Sequence, residues 1–221
     1  MDDNRIMTKS LPLLSRRRLV AGGLTLAGWT ALTGAGGMLV PTPRQSAGPF
    51  YPDKLPLDSD ADLITVTGRG APARGQVTHL FGRVLDGGGK PVAGARVEIW
   101  QCDANGRYIH SRDAARGGGD PNFQGYGRTE ADDAGGYRFR TIRPAPYPGR
   151  TPHIHIAVTA AGHDQLISQL YVAGEPRNAK DFLYNGIRDP QQRAAVTIAL
   201  EPRPDLEAGA LGMPADIVLP A

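Results

Sequence analysis

Cysteine is nearly absent from this chain of 221 residues. Cys102 stands alone, so no intramolecular disulfide can form and folding does not wait for an oxidising compartment. A general excess of charge is missing as well. Residues 1–40 hold Arg5, Lys9, Arg16, Arg17 and Arg18 against Asp2 and Asp3, which accounts for the whole formal +3. The remaining chain balances at 20 basic and 20 acidic residues, so a nucleic-acid footprint is not supported. No internal repeat is evident, and long polar runs are few. Glycine and proline, at 29 and 19, point to a turn-rich β protein rather than a helical one.

The chain divides into three stretches. Ser15-Arg16-Arg17-Arg18 precedes an uncharged, moderately apolar stretch that opens at Leu19 and carries six glycines between Gly22 and Gly37. A basic start followed by an apolar run describes a secretory signal over residues 1–40, and the paired arginines resemble the twin-arginine type. The expected destination is periplasmic or extracellular, with the export machinery as a partner. An uncleaved membrane anchor is the alternative, and no sharp cleavage site is visible. Residues 41–75, with Pro41, Pro43, Pro49, Pro52, Pro56 and Pro72, read as an extended arm. Residues 76–221 alternate like half-buried strands over Val77–Asp86, Ala95–Trp100, Tyr137–Arg140, Ile156–Thr159, Leu166–Val172, Ala194–Leu200 and Ile217–Leu219. These strands predict an all-β sandwich. A short helix is also expected near Asp189–Ala195, and residues 103–133 form a long glycine- and aspartate-rich excursion.

The chemistry concentrates in Pro146-Tyr147-Pro148-Gly149-Arg150-Thr151-Pro152-His153-Ile154-His155. Side chains alternate along a strand, so His153 and His155 share one face while Ile154 and Ile156 take the other. Two imidazoles at that spacing suit one metal ion. A surface pair or a hydrogen-bonded core pair would read the same way, and so would a zinc or Fe(II) site completed by His79, His110, His163 or a carboxylate.

Taken with Trp100-Gln101-Cys102-Asp103-Ala104-Asn105-Gly106-Arg107-Tyr108, this stretch resembles the intradiol ring-cleavage dioxygenases, most of all the protocatechuate 3,4-dioxygenase branch and its secreted relatives. The likeness covers roughly residues 48–175. It implies a prealbumin-like sandwich holding non-haem Fe(III) through Tyr108, Tyr147, His153 and His155. Two phenolates and two imidazoles are an anionic, hard-leaning set that favours Fe(III) over Fe(II). It further implies that Tyr147 gives way to an aromatic diol and takes up one of its protons. Arg150 and Gln169 would then lie beside the substrate, Tyr51 in Gly48-Pro49-Phe50-Tyr51-Pro52 would touch it, and O₂ would be the co-substrate. The product expected is a cis,cis-muconate-type diacid, and a homo-oligomer is compatible. One departure concerns Gly149, which replaces a tryptophan in a segment several residues shorter than the family's. Another class stays open: Asp86-Gly87-Gly88-Gly89-Lys90-Pro91 also resembles a turn of prealbumin-like binding modules that have no active site.

Overall fold

The computed structural model describes residues 38–220, so most of the signal-like segment lies outside the described residues. Among these residues, ten strands form two sheets that face one another. In the first, β1 (Val77–Leu85) pairs antiparallel with β4 (Gly136–Ile142) and parallel with β9 (Leu211–Pro214) and β10 (Ile217–Val218); β8 (Glu201–Pro202) extends β9. The second runs in the order β3 (Tyr126–Glu130), β2 (Arg96–Trp100), β5 (His153–Thr159), β6 (Leu166–Val172), β7 (Thr197–Ile198).

Period-two alternation builds the core between them. Val97 and Ile99 of β2, Ile154, Ile156 and Val158 of β5, and Leu166 and Leu170 of β6 point inward against Leu80, Phe139, Ile142 and Met213. Each of these large side chains contributes on the order of 1.5–3 kcal/mol by leaving water. The expected sandwich is thus the observed architecture.

The other face of the second sheet is also covered. Residues 41–75 form neither helix nor ladder beyond a single bridge from Asp62 to Arg140. This arm is tied to the sheets by Thr42 N–H to the Val218 carbonyl (3.0 Å) and Gln45 N–H to the Ile167 carbonyl (2.8 Å). That cover explains why β5 is buried on both faces.

Two expectations change. Ala194–Leu200 is not one strand: Asp189 caps α3 (Pro190–Ala195) with Pro190 in its first turn, and the strand is confined to Thr197–Ile198. The helix signal outweighs the apolar pattern there. The excursion over 103–133 also contains β3, which Gly127, its second residue, conceals in the sequence. A Cβ on Gly127 would stand 2.5 Å from the Asp60 carbonyl oxygen, so only glycine lets the arm cross this strand. Besides β3, the excursion holds α1 (Ser111–Ala114).

Candidate functional site

His153 and His155 project from the covered face of β5. Register places Tyr126 of β3, Trp100 of β2, His155 of β5 and Gln169 of β6 in one transverse row across four strands. Neither imidazole reaches solvent, and their Nε2 atoms face each other at 3.2 Å. His153 donates from Nδ1 to the Thr151 carbonyl (2.6 Å), a tautomer assigned from that bond, so its Nε2 lone pair points to the centre. Among the described residues His155 Nδ1 has no hydrogen-bond partner; its ring is instead stacked on Trp100 at 4.8 Å with planes 6° apart. Burial and, next, the nearby Arg150 cation hold His153 at about 4. Burial, His153 and Arg150 hold His155 well below its ordinary value. Both rings are therefore neutral at pH 7, as ligands must be.

Two loops bring tyrosines to the same point. Asp103 folds the loop after β2 by accepting from the N–H groups of Asn105 (2.8 Å), Arg107 (2.9 Å) and Asp120 (2.6 Å), and Asp113 accepts from Tyr108 N–H (2.8 Å). Gly106 lets this loop press on the second one. Its φ is +71°, and a Cβ there would sit 2.8 Å from the Pro146 carbonyl oxygen. The Tyr108 hydroxyl lies 3.5 Å from His153 Nε2. Tyr147 occupies a turn closed by Arg150 N–H to its carbonyl (2.9 Å); its ring stands edge-on to Tyr108 at 5.4 Å and lies 5.6 Å from His153. Burial pushes both phenols above their ordinary value, Tyr108 the further, while Arg150 opposes the rise at Tyr147. Tyr108 is buried; Tyr147 is half-buried and faces a cleft of about 470 Å³.

Arg150 closes one side of that cleft. Nη2 donates to Gln169 Oε1 (2.5 Å), Nη1 to the Tyr147 hydroxyl (3.3 Å), and Nε to Asp181 Oδ2 (2.7 Å). Arg177 and Lys180 line the mouth. The Nε2 atoms of two imidazoles and two phenols thus converge in a buried centre beside an open cleft and a fixed cation.

The dioxygenase family model matches residues 46–219. The chain belongs to the intradiol ring-cleavage dioxygenase family. It is 38% identical over 187 residues to the protocatechuate 3,4-dioxygenase beta chain of Burkholderia cepacia, a match that covers 80% of this chain and 78% of that one. It is 32% identical over 161 residues to the catechol 1,2-dioxygenase of Acinetobacter baylyi, and spans 50% of that relative's length. Among solved structures, the dioxygenase domain of a dioxygenase–carbohydrate-binding fusion from Streptomyces sp. SirexAA-E superposes with a TM-score of 0.63 at 30% identity, covering 82% of this chain and 99% of that one. This dioxygenase is therefore an oxidoreductase of a family that uses non-haem iron.

The structure gathers Tyr108, Tyr147, His153, His155, Arg150 and Gln169 into this site. Tyr51 lies outside it: its hydroxyl donates to Glu98 (3.1 Å) and its ring edges on Trp100 at 5.0 Å. Its neighbour Phe50 is the arm residue at the tyrosines, stacked on Tyr108 at 4.8 Å. The other histidines are elsewhere. His79 sits in the first sheet beside Arg138 and Glu207, His110 caps α1, and His163 lies in the turn after β5. Among the described residues no three His, Cys, Asp or Glu side chains converge, which leaves a site of H-x-H plus a third such ligand without its third member. Trp100 and Asp181 were missed by sequence reasoning. Neither carried a signal in the chain itself: strand register brings Trp100 to His155, and only the fold brings Asp181 to Arg150.

Proposed function

We propose that the chain cleaves a catechol-type aromatic diol between its two hydroxylated carbons with O₂, giving a cis,cis-muconate-type diacid, at Fe(III) held by Tyr108, Tyr147, His153 and His155. One observation carries this reading: two neutral imidazole nitrogens 3.2 Å apart, one of them 3.5 Å from a buried phenol. The donor set fits the ion. His153 has its lone pair fixed toward the centre, and two phenols that burial keeps protonated can become phenolates only beside a strong positive charge. When bound, Fe(III) supplies that charge and makes a bound diol reactive toward O₂.

The chain's own residues do the rest. Tyr147 is the tyrosine an incoming diol can reach, so its Oη is the proton acceptor for one diol hydroxyl, while buried Tyr108 stays in place. Arg150, held by Gln169 and Asp181, presents a permanent cation where negative charge develops on the ring. The arm, through Phe50 on Tyr108 and Gly48 over His155, keeps bulk water from the centre.

Arg177 and Lys180 at the mouth favour a diol with an anionic substituent, and the Burkholderia relative is named for such a diol. Comparing kcat/KM for protocatechuate and catechol tests that preference, which equal values would remove. Arg16-Arg17 support export by a twin-arginine route as part of the same reading.

The deciding experiment is the visible spectrum with metal analysis. Wild-type protein loaded with iron should be red-brown, since phenolate-to-Fe(III) charge transfer absorbs visible light, and His155→Ala should lose the ion. Full iron occupancy in His155→Ala would sink the ligand assignment, and a colourless active protein would sink Fe(III).

A further inference from the structure

Asp181 is fully buried, and its two carboxylate oxygens divide their partners. Oδ1 accepts from the N–H groups of Leu183 (3.0 Å) and Tyr184 (2.9 Å), which caps α2 (Phe182–Gly186). Oδ2 accepts from Arg150 Nε (2.7 Å) and Thr151 N–H (2.9 Å). The Thr151 hydroxyl donates to Asn178 Oδ1 (2.7 Å), which ties the 3₁₀ turn Pro176–Lys180 to the same backbone.

A guanidinium is a planar fork, and it can be rotated about its own stem unless more than one edge is held. Gln169 holds Arg150 only at Nη2, and the Tyr147 contact at Nη1 is long at 3.3 Å. A bond at Nε, the nitrogen nearest the stem, adds a second short, fixed point and so pins the plane. We propose that Asp181 is a positioning residue of this dioxygenase: it sets the rotation of the Arg150 guanidinium, so that Nη1 stays aimed at Tyr147 and the diol. The proposal rests on the reading of Arg150 as the cation that meets the reacting ring.

The divided carboxylate permits a clean test. In Asp181→Asn the amide oxygen can keep the α2 cap, because asparagine caps as well as aspartate. The amide NH₂ then meets Arg150 Nε–H and Thr151 N–H, donor against donor, and the clasp is lost. Turnover of catechol per iron-loaded protein should fall about 100-fold, the scale of a misplacement near one ångström. Catechol affinity titrated under nitrogen should stay within about threefold, and the visible band should be unchanged.

The same substitution in an Arg150→Ala background should cost less than about threefold more, because a residue acting through Arg150 has nothing left to position. If Asp181→Asn alone keeps more than about a third of wild-type turnover, the proposal is overturned, and this single variant decides even should Arg150→Ala not fold. An equal loss in both backgrounds also overturns it, since Asp181 would then act through Thr151 or the fold. Wild-type turnover by Arg150→Ala would instead remove the reading of Arg150 on which the proposal rests.

Discussion

Acidifying the iron-stripped protein should weaken it long before its carboxylates titrate. A histidine in an unfolded chain titrates near 6.5. In the fold, burial and the Arg150 cation hold His153 at about 4. Above pH 6.5 both states are neutral and the group contributes nothing. As pH falls from about 6.5 to about 4, the unfolded chain takes up a proton that the fold refuses, so stability drops; below that range both states are protonated and the loss levels off. A gap of about 2.5 units corresponds to about 3 kcal/mol, a large share of the roughly 5–15 kcal/mol that a domain has in total. His155, held well below its ordinary value by burial and by His153, adds loss in the same direction. Carboxylates act in a different window. Asp181, held below its ordinary value by the Arg150 and backbone hydrogen bonds that outweigh its burial, begins to lose its contribution only as pH falls through the ordinary carboxylate range near 3.9. The assay is the urea midpoint of iron-stripped protein between about pH 8 and pH 4.5, beside His153→Gln and His155→Gln, each of which removes one titrating ring. A flat curve over that range in the wild type, or the same slope in both variants, would refute the burial argument.

Two further outcomes follow from the same geometry, and a third from the sequence. Loading iron at pH 7 should release about two protons per site, one from each of Tyr108 and Tyr147, and about one in Tyr147→Phe, which should also shift the visible band and slow turnover; indicator-dye titration in weak buffer reads the count. Arg150→Lys keeps a charge but loses the fork that spans Asp181, Gln169 and Tyr147, so colour should survive while turnover falls about 100-fold in stopped-flow mixing with O₂. Arg16→Lys with Arg17→Lys should leave active, iron-loaded enzyme in the cytoplasm, because a twin-arginine route reads the arginine pair whereas an unfolded-chain exporter needs only basic residues; cell fractionation decides, and unimpaired export would remove that route without touching the site.

Local pattern determined much of this protein. Alternation placed Ile154 and Ile156 in the core and His153 and His155 on the opposite face, since a strand has no other way to arrange its side chains. The spaced tyrosine, arginine and histidine motifs resemble the family's, and the family match over residues 46–219 bears that resemblance out. Other features depended on which segments pack together. Gly127 interrupts the β3 pattern because the arm crosses it, a contact 67 residues away in the chain. Phe50 rather than Tyr51 reaches the tyrosine pair because the arm's path, held by backbone bonds to β6 and β10, decides which ring turns inward. Trp100 meets His155 through strand register, and Asp181 meets Arg150 only because the segment from Arg177 to Asp181 packs against the Arg150 turn along the cleft. Periodicity is a property of neighbours along the chain and can be read there. The partner of a buried charge lies across space, and the tertiary structure alone selects it.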